Sequence, residues 1–267
     1  MTSSPSVQLY TVRDAVSADL QGAVARIAEI GFTQVEPYSF VERADEFEKA
    51  FAASGVTAPS GHAPVIDSDE PERAFAAAAQ LGIGTVIDPF IPSDRWQTAD
   101  DAAKIADRVN ELQVLAAASG LKFGYHNHQW EFANKVDGRP VYDFFLERLN
   151  DDVVLEIDTF WSTVGGMDTP ALLRSLGDRV QFLHVKDGKI SGDIATALPS
   201  SESALEVPDA LAAAFKNQTP AGQGDVDVAA VLAAAPHALR VVEFDDYAKD
   251  VFDGVAESFA WLQENDK

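Results

Sequence analysis

The chain has 267 residues, 46% of them hydrophobic and spread along the whole length, and no Pro/Gly/Ser-rich linker or charge block marks a joint, so one large core spanning 1–267 is expected. With 43 acidic against 20 basic residues, a formal charge of −23, it lacks the basic surface that phosphate backbones and anionic lipid attract, which argues against nucleic acid and membranes as partners. Zero cysteines exclude disulfides and thiolate metal sites; Met1 to Ser6 carries no apolar leader and no run approaches the ~18 apolar residues of a membrane span, so a cytoplasmic protein is expected.

In chain order, short apolar runs alternate with stretches whose apolar residues recur at helical spacing. Val7 to Tyr10 reads as the first strand and Leu20 to Ile30 as the helix after it; Gln34 to Tyr38 is followed by Ala44 to Ala53, and Ala58 to His62 by Glu70 to Leu81. Thr85 to Phe90 precedes Ala99 to Ser119, Lys122 to His128 precedes Val141 to Leu149, and Val153 to Phe160 precedes Thr169 to Leu176. Val180 to Lys186 and Leu239 to Phe244 are the seventh and eighth strands, with helices Val226 to Ala235 and Val251 to Gln263. Gly31, Gly82 and Gly120 sit where helices turn into the next strand, the place for a left-handed cap.

Strict alternation of eight such units implies parallel strands, right-handed crossovers and a single closed (β/α)8 barrel. The open Rossmann sheet is disfavoured because no G-x-G-x-x-G follows the first strand. The stretch 188–224 between the seventh strand and its helix is too long for an ordinary loop; it includes a short helical segment, Val207 to Phe215, and reads as a cover over a site.

In a barrel of this kind the functional groups sit at the C-terminal ends of the strands. There the sequence places Glu36, His62, His126, Asn127 and His128 with Glu131 just beyond, Glu156 and Asp158, His184 and Lys186, and Glu243 and Asp245. A lone histidine or acid at a strand end is more often a turn or capping residue. Four of the five histidines at such ends, beside acids embedded in Val154-Leu155-Glu156-Ile157-Asp158, are hard to explain that way, because desolvating carboxylates is costly without a cation. His237 is the exception and reads as structural. Alternation puts Glu156 and Asp158 on one inward face, Asp158 nearer the top as the better ligand and Glu156 deeper as a partner that orients an imidazole. By the same parity His184 lies deeper than Lys186, which sits at the rim where it can meet substrate oxygens.

The segments Gly124-Tyr125-His126-Asn127-His128, Glu156-Ile157-Asp158-Thr159-Phe160-Trp161, Leu183-His184-Val185-Lys186-Asp187 and Val242-Glu243-Phe244 resemble the sugar phosphate isomerase/epimerase family of xylose-isomerase-like barrels. Val7 to Asp14, Gly31-Phe32 to Glu36 and Gly222-Gln223-Gly224 agree with it, so the similarity spans nearly the whole chain. The resemblance implies one divalent ion, Mn2+, Mg2+, Co2+ or Zn2+, held by Glu, Asp, His and Glu from strands five to eight. Asp158, His184 and Glu243 carry over. Where many relatives read Glu-Asn-His, this chain reads His126-Asn127-His128, so the fourth ligand is His126, with Glu131 reaching back as the alternative.

The activity expected is isomerisation or epimerisation of a keto-sugar or polyol by proton abstraction next to a carbonyl, with Glu131, His128 or Lys186 as acid or base. Tyr10, Glu36, His62 and Trp161 are the expected substrate contacts, with Trp130 and Phe160 as further apolar walls. The same site also suits a lyase or dehydratase of a keto-sugar or keto-inositol, or a non-catalytic sugar-binding barrel; a metal-dependent abasic-site nuclease fits poorly with so acidic a chain. Gly222-Gln223-Gly224 offers backbone N–H groups to a substrate phosphate, or forms a plain turn. A homo-oligomer is compatible with such a barrel.

Overall fold

The computed structural model describes residues 4–190 and 209–266. Its centre is a curled, all-parallel seven-stranded sheet made of Ser6–Val7, Leu239–Val242, Val180–Val185, Val154–Asp158, Lys122–His126, Thr85–Asp88 and Ser60–His62, in that spatial order. The two outer strands are joined through residues 34–38, which make parallel bridges from Glu36 to Gln8, from Gln34 to Thr57 and from Tyr38 to His62. Backbone bonds from Leu9 N to Glu36 O and from His62 N to Pro37 O, 2.9 and 2.8 Å, close the ring there. All eight expected segments are therefore in place, and the chain folds as a (β/α)8 barrel.

Helices pack outside it at Leu20–Ile30, Ala44–Ser54, Pro71–Leu81, Ala99–Ala118, Val141–Arg148, Thr169–Leu176, Val228–Ala234 and Val251–Asn265. The longest starts on a capping box in which Thr98 and Asp101 satisfy each other's backbone N–H groups. Gly31, Gly82 and Gly120 all take positive φ, as the helix-to-strand turns require. No helix among the described residues is long and apolar enough to cross a membrane.

The strands are shorter than the apolar runs suggest. The first stops at Val7 and turns into a 3-10 helix, Leu9–Val12, capped by the Gln8 side chain. The fifth stops at His126. The sixth stops at Asp158, whose carboxylate accepts Trp161 N at 2.8 Å and starts the helix Thr159–Val164, so Thr159 and Phe160 are helical. Past the first and sixth strands the buried Leu9 and Phe160 prolong the apolar run because the βα turn is buried as well, and past the fifth the buried Asn127 does the same with a polar side chain. Of the loop 188–224, residues 191–208 lie outside the described residues, and the helical segment read at Val207 to Phe215 is described as Asp209–Lys216.

Period-two alternation stacks the barrel interior in layers. Ile87, Val154, Phe182 and Val241 form an apolar cluster of their own. Two residues higher on the last three of these strands stand Glu156, His184 and Glu243, and two higher again Asp158, Lys186 and Asp245. On the fifth strand Gly124 lies beside this apolar cluster, because a Cβ there would come within 2.8 Å of Val154 O. Strand register sets the polar neighbours: His126 lies opposite Glu156 and Asp158 opposite His184.

Candidate active site

The middle layer is a dense exchange of hydrogen bonds among groups wholly withdrawn from water. Glu36 accepts from Gln8 Nε2 at 2.8 Å and from Ser60 Oγ, and it lies 2.8 Å from His184 Nε2. Glu156 Oε2 faces three imidazoles, with His62 Nε2 at 2.6 Å and both His126 Nδ1 and His184 Nε2 at 3.1 Å. His184 Nδ1 meets Glu243 Oε2 at 2.7 Å.

These contacts set the charges. Burial pushes the Glu156 carboxyl up, but the His184 and His62 imidazoles outweigh it and hold it well below the usual range. Burial works against charge on His184 and is outweighed by Glu156 and Glu243, so this imidazole binds its proton well above the ordinary value. His62 is raised likewise by Glu36 and Glu156. Glu36 is raised by burial and by the neighbouring Glu156 charge. His126 differs: burial, then the proximity of His184, lowers it to about 4, leaving a neutral imidazole.

The upper layer is governed by Lys186. Its Nζ lies 2.9 Å from Asp158 Oδ2, 2.7 Å from Glu243 Oε2 and 2.9 Å from Asp245 Oδ2. Burial disfavours the ammonium, and these three carboxylates more than compensate, holding its pKa well above the usual lysine value. Burial raises Asp158 to about 6, with Lys186 pulling the other way. Asp245 also accepts from Trp161 Nε1 at 3.2 Å and Gln218 Nε2 at 2.6 Å.

Two groups of side chains have the composition and spacing of a metal site: His126, Asp158, His184 and Glu243, and the deeper His62, His126, Glu156 and His184. Within each, the ligand atoms lie inside 4.8 Å of one another. The first group fits a divalent ion. It offers two imidazoles and two carboxylates from four successive strands, a donor set suited to Mn2+, Mg2+, Co2+ or Zn2+.

Glu131 is placed elsewhere. Its carboxylate accepts from Tyr125 Oη at 2.7 Å and from His128 N at 3.0 Å, and it belongs to neither group. Burial raises it to about 8 despite those hydrogen bonds, so it is protonated at neutral pH and braces the turn that carries His128.

Above the layers opens a cavity of about 400 Å³, within the range of small-molecule sites. His62, His126, Glu243 and Asp245 contribute to its lining, as do Tyr10, Tyr38, Pro64, Pro89, Phe90, His128, Trp130, Trp161, Leu211 and Phe215. His128 stacks on Trp130 with ring centroids 4.5 Å apart, its Nδ1 has no hydrogen-bond partner, and burial followed by His126 holds it well below the usual histidine range. Among the expected substrate contacts, Tyr10, His62 and Trp161 line this cavity. Glu36 does not: it is fully buried beneath it, tied to Gln8, Ser60 and His184. Phe160 is core packed on Trp161, and His237 is exposed, 3.9 Å from Asp178.

Sequence reasoning missed Gln8 and Ser60, although Ser60 stands two residues before His62 on the same face. It also missed Phe90, just past its strand, and Leu211 and Phe215 on the helix Asp209–Lys216, whose facing depends on how the long loop packs.

The sequence model of one family, described as xylose isomerase-like TIM barrel, matches residues 24–264. No curated protein sequence matches. Among solved structures, a sugar phosphate isomerase/epimerase from Parabacteroides distasonis superposes with a TM-score of 0.75 at 20% identity, covering 98% of this chain and 94% of that one. A zinc-bound IOLI protein aligns over 98% of this chain and 97% of its own, with a TM-score of 0.70 at 15% identity. A probable 3-DHS dehydratase of petrobactin synthesis from Bacillus anthracis gives 0.72 at 11% identity, over 98% and 99% of the two chains.

Proposed function

This chain belongs to the xylose isomerase-like TIM barrel family, and we propose that it is a divalent-metal-dependent isomerase or epimerase of a keto-sugar or polyol. The observation that carries this reading is the convergence of His126, Asp158, His184 and Glu243 at the base of a cavity of about 400 Å³. These four residues would hold the ion, which when bound supplies Lewis-acid stabilisation of the enolate that forms when a proton leaves the carbon next to a carbonyl.

The remaining groups have separable roles. His128 is neutral at neutral pH, lines the cavity and spends no hydrogen bond on its Nδ1, so it is the side chain best suited to take and return the proton. Glu131 fixes the His128 backbone and keeps its own proton, which makes it a positioning residue. Lys186 stays charged beneath the cavity, where it offsets the carboxylates of Asp158, Glu243 and Asp245 and positions them. Tyr10 and Trp161 offer apolar faces to the sugar's C–H groups. Glu36 and Glu156 act from below by fixing the rings of His62, His126 and His184. The stretch 188–224 contributes Leu211 and Phe215 to the wall, in keeping with a cover.

A second reading is supported by Lys186. Its ammonium lies beneath the cavity against Glu243 and Asp245, which do line it, and a proton relayed through them to a departing hydroxide or alkoxide would end the same deprotonation in elimination. The experiment is to load the protein with Mn2+, measure bound metal, and incubate it in D2O with ketoses and keto-inositols. About one ion per chain and solvent deuterium in an isomerised product are expected. An unsaturated product supports the lyase instead. Less than about a tenth of an equivalent of metal would refute both readings.

A further inference from the structure

The substrate class can be narrowed, on the premise that the site acts on a sugar as proposed above. An anion is poorly served here. No arginine or lysine lines the cavity, while Glu243 and Asp245 do. Lys186, below its floor, is already shared among three carboxylates. Arg13 near the mouth is tied back, its Nη1 donating to Tyr10 O at 3.3 Å with the guanidinium over the Tyr10 ring.

The amides offered to a phosphate are also taken. Barrels of this kind commonly bind phosphate on backbone N–H groups of the last loops. Here Gly188 N, Gly224 N and Val226 N converge on the Asp187 carboxylate at 2.8, 2.8 and 3.1 Å. A Cβ at position 224 would collide with that carboxylate, so the glycine is required by the clamp itself. The protein's own anion fills the nest.

Beside Ser39, Gln129 and the histidines, much of the wall is carbon, supplied by Pro64, Pro89, Phe90, Trp130, Leu211 and Phe215, with the Phe90 and Trp130 rings in contact at 5.5 Å between centroids. Tyr10 and Phe90 are 39% and 38% exposed, two of the four large hydrophobic side chains left open to water among the described residues. Exposed aromatic surface gathered at a cavity marks what the ligand covers.

We propose that the site takes an uncharged sugar carrying an apolar substituent of aromatic size, with the sugar on the polar floor and the substituent against Phe90, Trp130 and Phe215. The test is calorimetric titration of the Mn2+-loaded protein with phenyl β-D-glucoside against D-glucose and with D-fructose against D-fructose 6-phosphate. The phenyl group should tighten binding by ~10-fold or more through burial of its ring, and Phe215→Ala should remove most of that gain. The phosphate should weaken binding by ~10-fold or more, less so at high salt. A phosphate that binds as well as the parent sugar, a phenyl group that adds nothing, or a loaded protein that binds none of the four overturns the proposal and leaves the metal-dependent reading standing. A protein that does not load metal sinks that reading instead, and the two failures are told apart by the metal analysis.

Discussion

Two polar layers lie one above the other in the barrel, built from the same residue types yet different in how they are satisfied. In the deep layer Glu36, Ser60, His62 and Glu156 find most of their partners in one another and in Gln8 and His184. In the upper layer a single ammonium, Lys186, stands between three carboxylates, Asp158, Glu243 and Asp245. Buried charge that is paired internally belongs to the scaffold, whereas buried negative charge in excess of its partners marks where something else is to be held.

The comparison breaks most visibly if the deep layer is cut. Glu156→Ala strips three imidazoles of a shared acceptor, and a loss of about 3–5 kcal/mol of stability is expected, read as a fall in thermal midpoint. Asp158→Asn, in the upper layer, keeps the cap on Trp161 N and should cost only a small part of that while depriving the site of a metal ligand. Equal stability losses in the two variants would mean that the layers do not differ as described.

The fourth ligand is tested next. His126→Ala should lower Mn2+ affinity by ~10-fold or more, and His126→Glu should retain it. Glu131→Gln should spare metal, since the Glu131 carboxylate is engaged by Tyr125 and the His128 amide. If Glu131→Gln loses metal while His126→Ala keeps it, Glu131 is the ligand.

Proton competition sharpens the same point. Both ligating imidazoles must be neutral, and only His184 holds its proton above the usual histidine range, because Glu156 and Glu243 outweigh its burial. His126, at about 4, has already lost its proton near neutrality. Metal affinity should therefore rise as pH rises, by up to ~10-fold per unit while His184 is still protonated. His126→Glu should leave that slope unchanged between pH 6 and 8. A flat profile would remove His184 from the ligand set.

The smallest expected effect concerns Glu131. Burial lifts its folded pKa to about 8, against ~4.3 for an unfolded glutamate, so the folded state retains a proton that the unfolded chain has released. That contribution is complete below ~4.3 and fades as pH rises through about 8. The thermal midpoint should fall between pH 6 and 9 in the parent protein and fall less in Glu131→Gln. Parallel curves would place the proton elsewhere.

The barrel was legible in the sequence because its signals are local. Apolar runs alternating with helical spacing, and glycines such as Gly31 and Gly82 at the turns, need only near neighbours to act. Strand parity also put Glu156 with Asp158 and His184 with Lys186 on shared inward faces, but Lys186 is not at the rim as expected: three carboxylates hold it buried beneath the cavity. Glu36 was misjudged as a substrate contact because parity gives direction and not depth. What hides it is the packing of Gln8, Ser60 and His184 from three other strands.

The sequence by itself determined the fold, the order of its units and the residue types gathered near the strand ends, because each depends on periodicities a few residues long. Only the tertiary structure decided that His126 rather than Glu131 stands with Asp158, His184 and Glu243, that Lys186 is shared by three acids, and that Asp187 occupies the amides of Gly188, Gly224 and Val226. Those outcomes depend on distances between strands and loops far apart in the chain, which register and barrel closure fix and no local pattern encodes.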